Sequence, residues 1–405
     1  MKRPTIAIPG IAFAFSLVSV VASAQAVASP STAVAQAGKP ADSTAARADS
    51  SAKAATPADL PNFFKDVQTN AFVSFGYNNG FNQPANRQNP LRVFDSNANS
   101  FLIDVAELVL QKGLTKVGDF GFRIDLEAGS AIPVKTQSAG LVLGTGADLQ
   151  QALVSYIAPV GAGLRLDFGK FVTHMGLEVI EGYDGYNDNY SRSLLFNYAI
   201  PFTHTGVKAG YTFNPQLTVM AMAVNGWDLA VDNNKAKSLG FQVALTPASP
   251  VAIYLNYLGG PETPDTGAFM RHMGDVVATY KVSELLTLGI NGDYGLERGT
   301  SAVTPGADAK WSGLAGYVRV SPDPKYFVAF RAESMKDEGG TRFGLGKATR
   351  ATELTVTPSY KVTNNFIVRA EGRYDSIDQD AVYFDQNGKT KRNQATLGFN
   401  AMFVY

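Results

Sequence analysis

The chain has no cysteine. A disulfide framework, a thiol nucleophile and a cysteine metal site are therefore excluded. Charge is scarce as well. Asp, Glu, Lys and Arg make up 17% of the residues, against about 25% in an average soluble domain. The formal net charge is zero, which argues against nucleic acid as a partner. Histidine occurs three times, at His174, His204 and His272, and no HxH or HExxH spacing makes a metal motif of them. Past the first residues, no stretch approaches the roughly 18 consecutive apolar residues of a membrane helix. What the chain does hold is glycine (39), phenylalanine (25) and tyrosine (17). Low charge with abundant Gly, Phe and Tyr fits strands that face lipid on one side and water on the other.

The first residues speak to the compartment. Lys2 and Arg3 form a basic n-region, and Ile6 to Val21 an apolar h-region. Ala22-Ser23-Ala24 is a small-residue cleavage site, with Ala24-Gln25-Ala26 as a close competitor. The expectation is a cleaved signal peptide over residues 1–24. A membrane anchor is the alternative, disfavoured by Pro9, Gly10 and the cleavage residues. Residues 25–60 are low in complexity, rich in Ala, Ser, Thr and Pro, and read as a disordered periplasmic linker. Asp59 to Asp66 (DLPNFFKD) has the look of a helical turn. Residues 61–405 read as one domain.

Within that domain alternating stretches recur, and the connections between them are short and long by turns. The short ones are Leu114 to Gly118, Ala158 to Gly163, Asn214-Pro215, Pro247 to Pro250, Val282 to Glu284, Ser321 to Pro324 and Val362 to Asn364. Gly, Pro, Asn and Asp set tight turns there. The long ones are polar and Gly-rich, and the longest runs from Val172 to Phe202. Counting them predicts about 16 strands. In hydrocarbon every backbone group needs a partner, so such a sheet must close. The fold class expected is all-β: a transmembrane antiparallel β-barrel with short periplasmic turns and long extracellular loops.

The strand faces agree. Phe120, Phe122, Ile124 and Leu126 alternate with Gly121, Arg123, Asp125 and Glu127. Leu164, Leu166 and Phe168 alternate with Arg165 and Asp167. Arg369, Glu371, Arg373 and Asp375 share one face of a later strand. By the same parity Lys208, Asp275, Arg319, Arg331, Glu333 and Glu353 point inward. Charge this dense needs solvent or a wet lumen, because an unpaired charge in a dry core is very costly. A soluble sandwich with these charges outside is the alternative. Two readings of the charges stay open: opposed rings that tune ion selectivity, or pairs that hold the wall. Arg123-x-Asp125-x-Glu127 and Arg369-x-Glu371-x-Arg373-x-Asp375 look self-pairing. Phe101 to Lys112 alternates poorly, with Asp104 and Glu107 on opposite parities, which suggests a bulge. In the last strand Ala395, Leu397, Phe399, Ala401, Phe403 and Tyr405 face one way. That pattern resembles the signal by which outer-membrane barrels are recognised for assembly, with Phe399, Phe403 and Tyr405 as its aromatic part.

Other chemistry is thinly supported. Ser191 or Ser193 near His204 could suggest a hydrolase, but no G-x-S-x-G accompanies them. Asp184 to Asn189 faintly suggests a calcium loop, with the wrong acidic and Gly spacing.

GKFVTHMGLEVIE (Gly169 to Glu181), YSRSLLF (Tyr190 to Phe196) and PFTHTGVKAGYTF (Pro201 to Phe213) together resemble the beta-barrel porin family of the second type, the OmpL-like family. NSFLIDVAELVLQK (Asn99 to Lys112) matches the same family's early strand, and the likeness covers about Asn62 to Tyr405. The resemblance implies a bacterial outer-membrane barrel and a pore, and names no substrate. The leading expectation is a water-filled channel for passive diffusion of small polar solutes or ions, with no cofactor and no enzymatic activity. The loop 172–202 would fold inward and narrow it, bringing Glu178, Glu181, Asp184 and Asp188 opposite wall arginines, with Arg192 as a further residue of the constriction. Its acidic excess would give a weak cation preference. The partners expected are outer-membrane lipid, the barrel-assembly machinery and, by analogy with porins of this size, two further copies in a homotrimer. The rivals are a non-conducting anchor or adhesin and a barrel-embedded hydrolase. A TonB-type transporter is disfavoured, since no plug precedes the strands and the chain is too short for about 22 of them.

Overall fold

The computed structural model describes residues 66–132, 142–144, 146–380 and 382–405. The expected export signal, the linker and all but the last residue of DLPNFFKD lie outside the described residues. Sixteen strands form the wall: β1 Gln68–Gly80, β2 Phe101–Lys112, β3 Phe120–Ala128, β4 Ala147–Ala158, β5 Leu164–Val172, β6 Thr203–Asn214, β7 Leu217–Val224, β8 Ser238–Ala248, β9 Val251–Pro261, β10 Met270–Lys281, β11 Leu286–Glu297, β12 Ala309–Val320, β13 Tyr326–Asp337, β14 Thr349–Lys361, β15 Phe366–Ile377 and β16 Asn393–Val404. A three-residue strand, Val142–Gly144, pairs with β4, and Tyr383–Phe384 pairs with Thr390–Lys391 in a loop. Each wall strand is antiparallel to its neighbours in sequence, and β1 pairs with β16. The sheet therefore has no free edge, as a hydrocarbon environment demands. Ala71 and Tyr405 finish the seam by exchanging backbone hydrogen bonds of 3.0 and 2.8 Å.

The period of two decides what faces lipid. Along β14 buried and exposed residues alternate almost without exception. Phe120, Phe213, Tyr280, Tyr326, Tyr360 and Tyr405 are exposed at the short-turn end, and Phe101, Phe241, Tyr257, Tyr294 and Tyr374 toward the long-loop end. These are the two aromatic girdles of a membrane barrel, with apolar side chains between them. Among the described residues no helix is long and apolar enough to cross a membrane.

The irregularity in β2 is a bulge. Ser74 of β1 faces Val105 and Phe75 faces Ile103, which leaves Asp104 as the extra residue. The parity of β2 flips there, so Asp104 and Glu107 are both buried on the inner face.

The apolar core lies inside the barrel, toward the long loops. Leu194, Leu195, Phe196, Ala199, Ile200 and Phe202 of the loop 173–202 form its centre. Leu91 and Phe94 reach it from the first long loop, Trp227 from the fourth, Phe343 from the seventh and Tyr383 from the eighth. Gly295 of β11 makes room for Trp311 of β12: a Cβ at 295 would lie 1.9 Å from the indole.

Candidate functional site

The loop 173–202 leaves β5 and crosses the barrel. Gly176, at a φ of +87°, permits the turn inward. Its amide donates to Asp275 of β10 at 3.2 Å, and the Leu177 amide donates to Asn291 of β11 at 3.3 Å. Beyond them the loop descends toward the short-turn end. Gly182 and Gly185 pair as a tight hairpin with Tyr183 and Asp184 at its tip. The Tyr183 amide donates to Glu107 of β2 at 2.6 Å. On the way back the Tyr190 and Ser191 amides donate to Glu371 of β15 at 2.6 and 3.0 Å. The Leu194 and Leu195 amides donate to Glu333 of β13. A single π-helical turn, Leu195–Ala199, then carries the apolar side chains into the core, and Trp311 Nε1 donates to the Ala199 carbonyl at 3.0 Å. Within residues 173–202 Asp184 alone is exposed.

All four loop carboxylates meet wall arginines. Glu178 lies 2.5 Å from Arg331, Glu181 2.9 Å from Arg369, Asp184 2.6 Å from Arg123 and Asp188 2.6 Å from Arg319. Arg192 pairs with Glu181 inside the loop at 3.5 Å. Burial pushes the Glu181 carboxyl up, but Arg192 and Arg369 outweigh it and hold it below the usual glutamate range. The acidic excess of the loop is thus matched by arginines of the wall.

Most of the wall charges are buried. Asp125, Glu127, Arg331, Glu333, Arg369, Glu371 and Arg373 are all buried. Arg331 donates to Glu178, to Glu353 at 2.7 Å and to the Ser191 carbonyl at 2.7 Å. Pairing within a strand holds for Arg123–Asp125 at 2.8 Å, Arg165–Asp167 at 3.0 Å and Arg373–Asp375 at 2.7 Å. It does not hold for Arg369 and Glu371, because the loop takes both: the arginine binds Glu181 and the glutamate binds loop amides. Glu127 accepts from Gln150 at 2.7 Å and does not pair with Arg123. Lys208 sits 3.6 Å from Asp167, over the ring of Phe171. Among these wall charges Arg165 keeps the most exposed side chain, at 42%.

The hydrolase residues are not brought together. Ser191 Oγ faces Arg331 and Arg373, and Ser193 Oγ accepts from the Phe196 amide. The His204 ring contacts the Gly226 carbonyl and Thr173 Oγ1. His174 and His204 do approach, with ring centroids 6.3 Å apart. Sequence reasoning passed over Arg92, which pairs with Asp95 at 2.5 Å and Asp375 at 2.7 Å. The apolar neighbours Leu91, Val93 and Phe94 in an otherwise polar loop were the signal that this segment is buried.

Residues 66–405 match the family described as "Putative beta-barrel porin-2, OmpL-like". The chain belongs to that family. The OmpL-like barrel also has the fold of solved outer-membrane channels. It is 11% identical to the outer-membrane channel DcaP of Acinetobacter baumannii, with a TM-score of 0.56, over 84% of this chain and 97% of that one. It is 11% identical to an anion-selective porin from Comamonas acidovorans, with a TM-score of 0.57, over 84% and 99%. OmpT of Vibrio cholerae in its trimer form gives 13% identity and a TM-score of 0.52, over 84% and 99%. At these identities the likeness is one of fold. No curated protein matches the sequence. Family and fold place the OmpL-like barrel in the bacterial outer membrane as a porin-like channel.

Proposed function

We propose that this barrel conducts small polar solutes or ions passively through an aqueous path, and that the loop 173–202 sets its width. The observation that carries the reading is the inward course of that loop, tied to wall arginines on β3, β12, β13 and β15. A barrel of about 16 strands is wide enough for an aqueous channel, so a structure crossing it controls passage. Residues 1–24 would export the chain, and residues 25–60 would be a linker on the periplasmic side, where the short turns lie. Lipid would cover the aromatic girdles. Phe399, Phe403 and Tyr405, which are exposed on the outer face of β16, would be read by the assembly machinery. A homotrimer would follow the trimer form of OmpT of Vibrio cholerae.

One observation favours the rival reading of a non-conducting barrel. Only Asp184 of the loop is exposed, and its apolar arm is packed into a core. Recording from purified protein in planar bilayers separates the two: discrete conductance steps support the channel, and their absence in every salt supports the rival.

A further inference from the structure

The ion pairs that hold the loop are distributed unevenly, and this bears on whether the loop is fixed. Residues 178–192 are bonded to one another as a unit, which the Ser193 amide ties to the segment that follows. Asn187 exchanges two hydrogen bonds of 2.9 Å with Val179. The Asn187 amide donates to Glu181 at 3.1 Å, Arg192 donates to the Val179 carbonyl at 3.3 Å, and the Ser193 amide donates to Glu178 at 2.7 Å. Gly176 lies just before this unit, and the apolar arm anchored in the core begins just after it.

Each wall arginine that the unit engages has a wall acceptor of its own. Arg123 already holds Asp125, Arg331 already holds Glu353, and Arg373, which donates to Ser191 Oγ and the Arg192 carbonyl, already holds Asp375. Arg319 already donates to Ser321 Oγ at 3.1 Å and lies 3.8 Å over the Phe327 ring. Arg369 already donates twice to Asn400, and Glu371 stands two residues along the same inner face. That is the spacing at which Arg123–Asp125, Arg165–Asp167 and Arg373–Asp375 pair. In this structure Glu371 is occupied by loop amides and by Thr357 Oγ1 at 2.9 Å. Buried charge is costly only when it is left uncompensated. Removing the unit would leave no arginine in that condition.

We infer that residues 178–192 are a displaceable arm. It leaves the wall as one body about Gly176 and the start of the apolar arm, and Arg369 exchanges Glu181 for Glu371 as it goes. Two discrete charge pairings of one wall make a two-state element. As a control on passage this rests on the channel reading above, but the motion can be observed without conduction.

The chain has no cysteine, so a single introduced thiol is an unambiguous reporter. Ser359 faces inward on β14 opposite Arg369, is 1% exposed, and its hydroxyl has no hydrogen-bond partner. Ser359→Cys therefore perturbs little. The experiment labels folded full-length Ser359→Cys protein in detergent with a small charged thiol reagent, in the parent and in the Glu178→Gln/Glu181→Gln background. Heat-modifiable gel mobility confirms the barrel in both. Slow labelling in the parent and a rate at least about tenfold higher in the double variant is the expected result, tenfold being about 1.4 kcal/mol of bias toward the released arm. Equal rates in the two folded proteins would mean that the arm is a fixed part of the wall. Fast labelling in the parent would mean that the arm does not cover the wall at all. Neither outcome depends on whether the barrel conducts.

Discussion

Arg331 is the charge the inner loop and the wall share most closely, and removing it should be far more damaging than removing its loop partner. Its side chain is fully buried and donates to Glu178, Glu353 and the Ser191 carbonyl. Arg331→Met keeps the volume and removes the charge. Glu178 and Glu353 then remain buried, and Glu353 is left with Arg373 at 3.4 Å. Taking one partner from a buried pair costs about 3–5 kcal/mol; with Arg373 still near Glu353, the low end, about 3 kcal/mol, is expected. Glu178→Gln is milder. Arg331 keeps Glu353, and the glutamine oxygen still accepts from the Ser193 amide. Exchanging charged for neutral hydrogen bonds should cost about 1 kcal/mol. In the double variant the stranded carboxylate at 178 is gone, so the costs should fall short of their sum by about 1–2 kcal/mol. The assay is reversible urea unfolding in lipid vesicles. Trp227 and Trp311 are the only tryptophans and both are buried, so fluorescence reports the barrel interior. An Arg331→Met cost below about 1 kcal/mol, or additivity within about 0.5 kcal/mol, would refute the view that loop and wall share one charge network.

Three further outcomes are expected. Glu178→Gln/Glu181→Gln unmasks Arg331 and Arg369, so the reversal potential in a salt gradient should move toward anions; an unchanged value would remove these two acids from the permeation path. Because the folded Glu181 carboxyl is held below its ordinary value of 4.5, its contribution to holding the loop is complete above that value and is lost as pH falls through the lower, folded one. Stability to urea should accordingly fall less in Glu181→Gln than in the parent as pH drops through the glutamate range, and equal losses in the two proteins would contradict the pairing. Tyr405→Ala removes the last aromatic of β16 and should lower the amount of barrel assembled in the outer membrane, as measured by heat-modifiable mobility of membrane fractions; undiminished assembly would show that Tyr405 is not part of the signal.

Much of this fold is legible in the chain. A period of two over a dozen residues, broken by short and long connections in turn, leaves little besides a closed barrel once a lipid-facing side is granted. The parity clash between Asp104 and Glu107 announces the bulge in β2. Parity also put Arg331, Arg369 and Glu371 on the inner face. It could not say what would meet them. Arg369-x-Glu371 has the spacing of pairs that do close on themselves, yet here the loop separates them, and that depends on a contact across 188 residues of chain. For the same reason parity could not say which of these charges would be buried and paired. The segment Leu194 to Phe202 carried the missing clue: a run so apolar in a loop has to be packed somewhere.

The central claim is that a barrel closed by this family's fold, with a loop bound across its interior, is a channel. Single-channel recording of the purified chain in planar bilayers, with ion selectivity read from a salt gradient, addresses it most directly. Discrete conductance steps, altered in size or selectivity by Glu178→Gln/Glu181→Gln, are the predicted result. A silent bilayer in every salt, from protein shown to be folded, would contradict it.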